Sequence, residues 1–226
     1  MSDDLLRLED IRKSFPSPDG KGEVRILEGV DLSLKKGEVI SIVGQSGSGK
    51  STLLSAAALL TDINEGKIFY SGKDVASFSE KEIALLRSKT MGFVFQSSLL
   101  LEDFSALENI AMPLMIQGMK KKDAMDKANE FLALVGLEDR SGHRPKALSG
   151  GERQRIAIAR ALSTSPDIIF ADEPTGSLDE KNAEVVENML LDSVRMKGSG
   201  LILVTHNVEF ASKADRIYTL KGGKLE

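Results

Sequence analysis

A glycine-rich segment constrains the fold of this chain more than any other feature. Residues 44–51 (GQSGSGKS) lie between an apolar, β-branched run at residues 38–43 and a run of helix formers at residues 51–60. This order predicts a buried parallel strand, a tight turn and a helix. Such a turn aims backbone N–H groups and the positive end of the helix at one point, which favours phosphate binding.

The residues of this glycine turn predict contacts with a nucleoside triphosphate. Its three glycines let the backbone wrap an anion without a Cβ in the way. Lys50 supplies a positive charge for the β- and γ-phosphates, and the Ser51 hydroxyl is placed to ligate Mg²⁺. The alternative is an ordinary strand–helix turn that happens to contain glycines. The predicted nucleotide-binding residues are Gly44, Gln45, Ser46, Gly47, Ser48, Gly49, Lys50, Ser51 and Thr52.

A second apolar run, residues 168–171, ends in two carboxylates, Asp172 and Glu173. Ligands in open α/β sheets bind at the carboxyl ends of strands, so both groups are expected beside the glycine turn. Asp172 would hold Mg²⁺, through water because Mg²⁺ keeps much of its hydration shell. Glu173 would accept a proton from the attacking water or orient it. The alternative is a strand capped by solvated acids.

The two histidines have different predicted roles. His206 closes a third apolar run at residues 201–204, and a strand end of this kind favours contact with a γ-phosphate over a buried structural role. His143 lies in a polar loop, where surface packing is expected.

Four motifs, in order, resemble those of the ATP-binding subunits of ABC transporters. The signature LSGGERQ is the most specific, because general phosphate-loop NTPases lack it. The motifs are Walker A at residues 44–51, the signature at residues 148–154, Walker B at residues 168–173 and SLD at residues 177–179.

The resemblance implies further roles for single residues. Gln96 is placed as the Q-loop residue, which senses Mg²⁺ and the attacking water. His206 is placed as the switch histidine, and Lys50 and Glu173 keep the catalytic roles given above. Phe15 lies where the family has an adenine-stacking aromatic residue, more often Tyr.

The signature implies a second subunit. Ser149 and the N–H groups of Gly150 and Gly151 form another anion-binding helix start. The helical lobe would carry this turn far from Lys50 of the same chain. The resemblance implies a head-to-tail homodimer in which two ATP molecules lie in a symmetric interface.

Within the family, the chain resembles the LolD type, which works with lipoprotein-releasing permeases of the Gram-negative inner membrane. Residues 106–114, 142–145 and 171–176 carry this resemblance. MacB-type exporters and FtsE, the cell-division ATPase, share much of the pattern and remain alternatives. Ser177 and Asn207 stand where Asn and an acid are usual, which bears on coupling between subunits.

Other phosphate-loop proteins fit the sequence less well. DNA-repair and chromosome ATPases usually place a long coiled coil between the two glycine-rich turns, and 98 positions (148 − 50) are too few for one. Ribosome-associated members usually carry two cassettes. A small-molecule kinase would leave the signature and His206 unexplained.

Composition limits the location and the partners. The absence of cysteine excludes disulfides and cysteine catalysis, and the net charge of −4 argues against a nucleic-acid partner. The sequence has no apolar run of the roughly 18 residues that a membrane span needs, and no signal peptide at residues 1–4. The chain is therefore expected at the cytoplasmic face of the inner membrane, held there only by permease subunits.

The pattern of elements predicts an α/β fold of the P-loop NTPase (ABC ATPase) type. It has a mixed β-sheet core, an N-terminal antiparallel β subdomain and an inserted α-helical lobe. A single domain, 1–226, is expected, with core residues 1–95 and 164–226 and lobe residues 96–163. Strands are predicted at residues 5–11, 24–34, 38–43, 68–72, 92–95, 168–171, 201–204 and 216–220, a turn at 16–20, and helices at 51–60, across 106–163 and at 183–197.

Four large apolar residues follow Gln96 in a predicted surface loop: Leu99, Leu100, Leu101 and Phe104. As a group they indicate a groove that receives a cytoplasmic helix of the permease. The alternative is that they pack into the core of the lobe.

Overall fold

The structure, a computed structural model, describes residues 4–18, 20–176 and 178–226. Asp19 of the predicted turn and Ser177 of the SLD motif lie outside the described residues. No helix in the described part of the chain is long and apolar enough to span a membrane. The strands are β1 (Asp4–Pro16), β2 (Glu23–Lys35), β3 (Val39–Val43), β4 (Glu65–Tyr70), β5 (Lys73–Asp74), β6 (Met91–Phe95), β7 (Ile168–Asp172), β8 (Gly200–Val204), β9 (Arg216–Lys221) and β10 (Lys224–Leu225). The α-helices are α1 (Lys50–Ala57), α2 (Glu80–Thr90), α3 (Ala106–Ile116), α4 (Lys121–Leu134), α5 (Gly150–Ser163), α6 (Glu180–Lys197) and α7 (Val208–Ser212).

The strands form two sheets. Four of them make an antiparallel sheet in the order β2-β1-β4-β5. The other six make a mixed sheet in the order β10-β9-β3-β8-β7-β6, in which β10 alone is antiparallel to its neighbour. The predicted fold class, with its antiparallel N-terminal sheet and mixed core sheet, is confirmed.

The central strands of the six-stranded sheet, β3, β8 and β7, are buried on both faces. Along β8, Leu201 and Leu203 pack into the cluster under helices α3 to α6, while Ile202 and Val204 pack towards the antiparallel sheet. This alternation follows from the two-residue period of a strand. Burial of both faces explains why β3, β7 and β8 are mostly apolar, with Ser41 and the terminal Asp172 as exceptions.

The helical lobe differs in detail from its prediction. Residues 106–163 hold three separate α-helices, α3, α4 and α5, with turns at residues 117–120 and 135–149. Gly118 and Gly136 lie in these turns with φ of 94° and 63°, a conformation that ends helices readily. The division into core and lobe stays a prediction, because the cluster under α3 to α6 also contains core side chains such as Val94 and Ala171.

Two α-helices, α2 and α7, are not predicted by the sequence pattern. Helix α2 begins with a capping box formed by Ser79 and Glu82, but it has no buried residue. Its apolar residues form one run at residues 83–86 instead of recurring at helical spacing, so the sequence gives no clear helical periodicity. Helix α7 has only five residues, which is too short for a periodic pattern.

Candidate functional site

The backbone of the glycine turn requires glycine at three positions. Gly44, Gly47 and Gly49 have φ of 153°, 77° and 98°, which other residues rarely adopt. A Cβ on Gly44 would also lie 2.7 Å from the carbonyl oxygen of Leu220. A Cβ on Gly49 would lie 2.6 Å from Cγ2 of Ile26. The turn can therefore take this shape only with its glycines.

Lys50 begins α1 directly after the turn and is only 9% exposed. Its ammonium group donates hydrogen bonds to the carbonyl oxygens of Gly44 and Gln45, at 2.9 and 3.0 Å. These bonds hold the positive charge against the turn, next to the N-terminus of α1. Both features favour an anion at this place.

The glycine turn and the ends of β3, β6, β7 and β8 border one cleft of 540 Å³. The structure thus gathers residues that lie far apart in the sequence. The lining residues are Ile26, Gly44, Ser46, Gly47, Gly49, Lys50, Ser51, Thr52, Gln96, Asp172, Glu173, Val204 and His206.

Asp172 offers an oxygen atom that lacks a partner. Its Oδ1 is buried and has no hydrogen-bond partner among the described residues. Burial raises the pKa of Asp172, while a hydrogen bond from the Ser51 hydroxyl acts in the opposite direction. Burying a carboxylate oxygen costs free energy unless a cation or a hydrogen-bond donor contacts it. The carboxylate, the Ser51 hydroxyl and the Gln96 amide are oxygen donors of the kind that Mg²⁺ prefers.

Glu173 has an unusual backbone and a fixed side chain. Its φ is 47°, and a non-glycine residue in this region costs on the order of 1–3 kcal/mol. Its N–H group donates to the carbonyl oxygen of Val204 at 2.8 Å. Its Oε1 lies 2.8 Å from Nδ1 of His206, and its Oε2 accepts the His206 backbone N–H at 3.2 Å. The carboxylate and the imidazole therefore form a pair at the edge of the cleft.

The signature turn begins α5 with a complete capping box. The Ser149 hydroxyl accepts the Glu152 N–H at 3.2 Å, and Glu152 accepts the Ser149 N–H at 2.7 Å. Arg140 donates to the same carboxylate at 2.9 Å. The bond from the Ser149 N–H, then that from Arg140, lower the pKa of Glu152 to about 2. The start of α5 is therefore rigid.

Several predicted residues do not border the cleft of their own chain. Ser149 and Gly150 are exposed, and with Gly151 they are absent from the cleft lining given above. Phe15 is 41% exposed, and the Lys13 ammonium lies 4.8 Å from the centre of its ring. Gln45 and Ser48 belong to the turn without lining the cleft.

Two residues that support the site, Gln154 and Ile26, are not predicted by the sequence motifs. Gln154, the last signature residue, is buried and donates to the carbonyl oxygens of Phe95 and Pro174 at 2.9 and 2.8 Å. It thereby ties α5 to the segments that carry Gln96 and Glu173. A polar residue on the apolar face of α5 is the signal that could have revealed this role. Ile26 gives no comparable signal in the sequence, because β2 is brought next to the glycine turn only by the folding of the chain.

The loop after Gln96 is partly buried. Leu100 is 8% exposed and belongs to the core under α3 to α6, so its predicted place in a surface groove is wrong. Leu101 is 43% exposed and borders an apolar groove of 440 Å³ with Leu60, Met112 and Ile116. Leu100 alone of these four residues turns into the core, whereas Leu99 and Leu101 stay exposed and Phe104 is half-buried.

Comparison with known proteins gives consistent results. Residues 27–176 match the family model described as ABC transporter. The chain is 45% identical to the lipoprotein-releasing system ATP-binding protein LolD of Pseudoalteromonas translucida, over 100% of the chain and 96% of that protein. It is also 45% identical to the LolD of Hyphomonas neptunium, over 100% and 98%. Two dimeric structures of the cassette MJ0796, one bound to ADP and Pi, match with a TM-score of 0.91 and 36% identity, over 98% of this chain and 96% of that one.

Proposed function

The chain belongs to the ABC transporter family as an ATP-hydrolysing subunit, and we propose that the transport it drives is the release of lipoproteins from a membrane. The relatives that support this are named for a lipoprotein-releasing system, and they match this chain along almost their whole length. The placement of Lys50, Asp172 and Glu173 around one cleft is the observation that carries the hydrolytic part.

The cleft residues suggest how ATP is bound and hydrolysed. In this proposal Lys50, Thr52 and the N–H groups of the glycine turn bind the β- and γ-phosphates. Ser51, Gln96 and Asp172 hold Mg²⁺, which when bound neutralises part of the phosphate charge. Glu173 accepts a proton from the attacking water, and His206, fixed by its contact with Glu173, binds the γ-phosphate.

We assign the adenine contact to Phe15 of β1. The support is an exposed aromatic ring with an adjacent cation, from Lys13, at the end of the strand. Stacking on a base is worth about 1–3 kcal/mol and depends little on which base it is. A modest preference for ATP over GTP would follow.

The exposed signature turn supports a head-to-tail homodimer. Ser149, Gly150 and Gly151 start a 14-residue helix and do not border the cleft of their own chain. In the proposed dimer they contact the γ-phosphate of the ATP bound by the partner subunit, so that two ATP molecules lie in one symmetric interface. The dimeric neighbours give independent support for pairing.

The apolar groove is the proposed site for a cytoplasmic helix of the membrane-embedded permease subunits. Its wall includes Arg160, which donates to the carbonyl oxygens of Ser98 and Leu99 at 3.0 and 2.7 Å. A helix seated here would therefore contact the segment that begins with Gln96. This docking would hold the chain at the cytoplasmic face of the inner membrane.

Reconstitution tests the proposed function. The chain is combined with its permease subunits in vesicles that carry a lipoprotein, and release to the aqueous phase is measured with ATP. We expect release with the native chain and none with Glu173→Gln. An assembled complex that hydrolyses ATP but leaves the lipoprotein in the vesicles would refute lipoprotein release, while leaving the ATPase assignment intact.

A further inference from the structure

A buried carboxylate outside the nucleotide cleft contacts the segment that carries His206. Glu187 lies in the middle of α6 and is 5% exposed. It borders a second cleft of 540 Å³, and Glu173 and His206 border both this cleft and the first. We propose that Glu187 is a positioning residue that fixes the place of His206. The inference rests on the proposed role of His206 in hydrolysis.

The carboxylate of Glu187 holds both ends of α7. Its Oε1 accepts a hydrogen bond from the Asn207 amide at 3.4 Å, and Asn207 is the N-cap of α7. Its Oε2 forms an ion pair with Lys213 at 2.8 Å, and Lys213 is the C-cap of the same helix. One side chain therefore anchors the five-residue helix that follows His206 directly.

Asn207 transmits this restraint to His206. Its Oδ1 accepts the Phe210 N–H at 3.1 Å, and its own N–H donates to the Thr205 hydroxyl at 3.0 Å. Thr205 is 1% exposed and lies directly before His206. The residues on both sides of His206 are thus fixed, and its imidazole, 69% exposed, is held on the cleft side by Glu173 at 2.8 Å.

Because Glu187 is buried, its negative charge needs hydrogen-bonding and charged partners. A buried carboxylate is unfavourable unless it is paired and hydrogen-bonded. Lys213 and Asn207 supply those partners, and the bond with Glu187 raises the pKa of Lys213. The pair therefore favours one placement of α7 relative to α6.

The test compares Glu187→Gln with Glu184→Gln. Glu184 lies one turn earlier on α6, is exposed, and borders the same second cleft. Glutamine at position 187 keeps the shape and one acceptor but loses the ion pair. For Glu187→Gln we expect kcat to fall about 5- to 20-fold with the KM for ATP within about twofold of its native value, because Lys50 and the glycine turn still bind the phosphates. Glu187→Asp should recover part of the lost kcat, and Glu184→Gln should match the native chain.

A double-mutant cycle separates positioning from simple stability. In a His206→Ala background, Glu187→Gln should lower the residual kcat by less than about twofold, since its effect acts through His206. An equal loss of kcat in both backgrounds, or a native kcat for a folded Glu187→Gln, would refute the positioning role. If His206→Ala itself hydrolyses ATP at the native rate, the proposed role of His206 fails instead.

Discussion

At the scale of single residues, Glu173 gives the sharpest prediction. We expect Glu173→Gln to bind ATP with native affinity and to lose turnover by about 10²–10⁴-fold, since a general base is removed. This corresponds to about 3–5 kcal/mol in the barrier. The measurements are nucleotide titration and steady-state hydrolysis, with Glu209→Gln, an exposed residue of the second cleft, as the control. Native turnover by the Glu173 variant would move the base to another residue.

The site residues that could be predicted from the sequence are those whose role follows from their neighbours in the chain. Gly44 to Ser51 are consecutive, so their spacing alone carries the phosphate-binding pattern. Asp172, Glu173 and His206 follow apolar runs, and the strand-end rule then places them together. Glu187 and Lys213 are 26 positions apart and meet only through the packing of α6 against α7, so no local pattern reveals them.

At the scale of elements, the start of α5 gives a pH-dependent prediction. The pKa of Glu152 is lowered from 4.5 to about 2 in the folded chain. The unfolded chain therefore binds more protons in this range, and the stabilisation is complete above pH 4.5 and is lost as the pH falls towards 2. We expect Glu152→Gln to lower the free energy of unfolding at neutral pH by about 1–2 kcal/mol.

Denaturant unfolding at several pH values checks this prediction. The difference in the free energy of unfolding between the native chain and Glu152→Gln should shrink as the pH is lowered from about 5 to 3, because the Glu152 carboxylate becomes protonated more readily in the unfolded chain. Glu130→Gln, at an exposed position of α4, is the control. A difference that does not change with pH would mean that the ion pair with Arg140 and the cap contribute nothing through charge.

The elements that could be predicted are those with a strong pattern. Strands β3, β7 and β8 are mostly apolar because both sheet faces are buried there, and each was predicted within about one residue. Helix α2 has no buried residue, and its apolar residues form a single run at residues 83–86, so no helical periodicity reveals it. The long helical stretch was predicted correctly in type, but its internal turns depend on glycines that are not distinctive in the sequence.

At the scale of the whole molecule, the apolar groove predicts how the chain assembles with its permease. Ile116 borders the groove and is 67% exposed, so Ile116→Asp should leave folding and basal ATPase intact. Co-purification with the permease should be lost, since an unpaired buried charge at an interface costs about 3–5 kcal/mol. Leu134→Asp, at a 73% exposed position outside the groove, is the matched control. Native assembly of the Ile116 variant would place the docking surface elsewhere.

The signature turn predicts that a negative charge placed at Gly150 weakens the proposed dimer. A Cβ on Gly150 would meet only the Arg153 guanidinium at 3.9 Å, and an acid at a helix start is favourable, so Gly150→Asp should fold normally. In a head-to-tail dimer the same carboxylate would face the γ-phosphate of the partner's ATP. We therefore expect Glu173→Gln to dimerise with ATP, and Glu173→Gln/Gly150→Asp to bind ATP but dimerise at least about tenfold more weakly, or about 1.4 kcal/mol.

Light scattering after gel filtration measures this dimerisation. The control is Glu173→Gln/Gly142→Asp, since Gly142 is exposed in a nearby loop with open space around it. Equal dimerisation of the two double variants would mean that the signature turn does not face the partner's nucleotide.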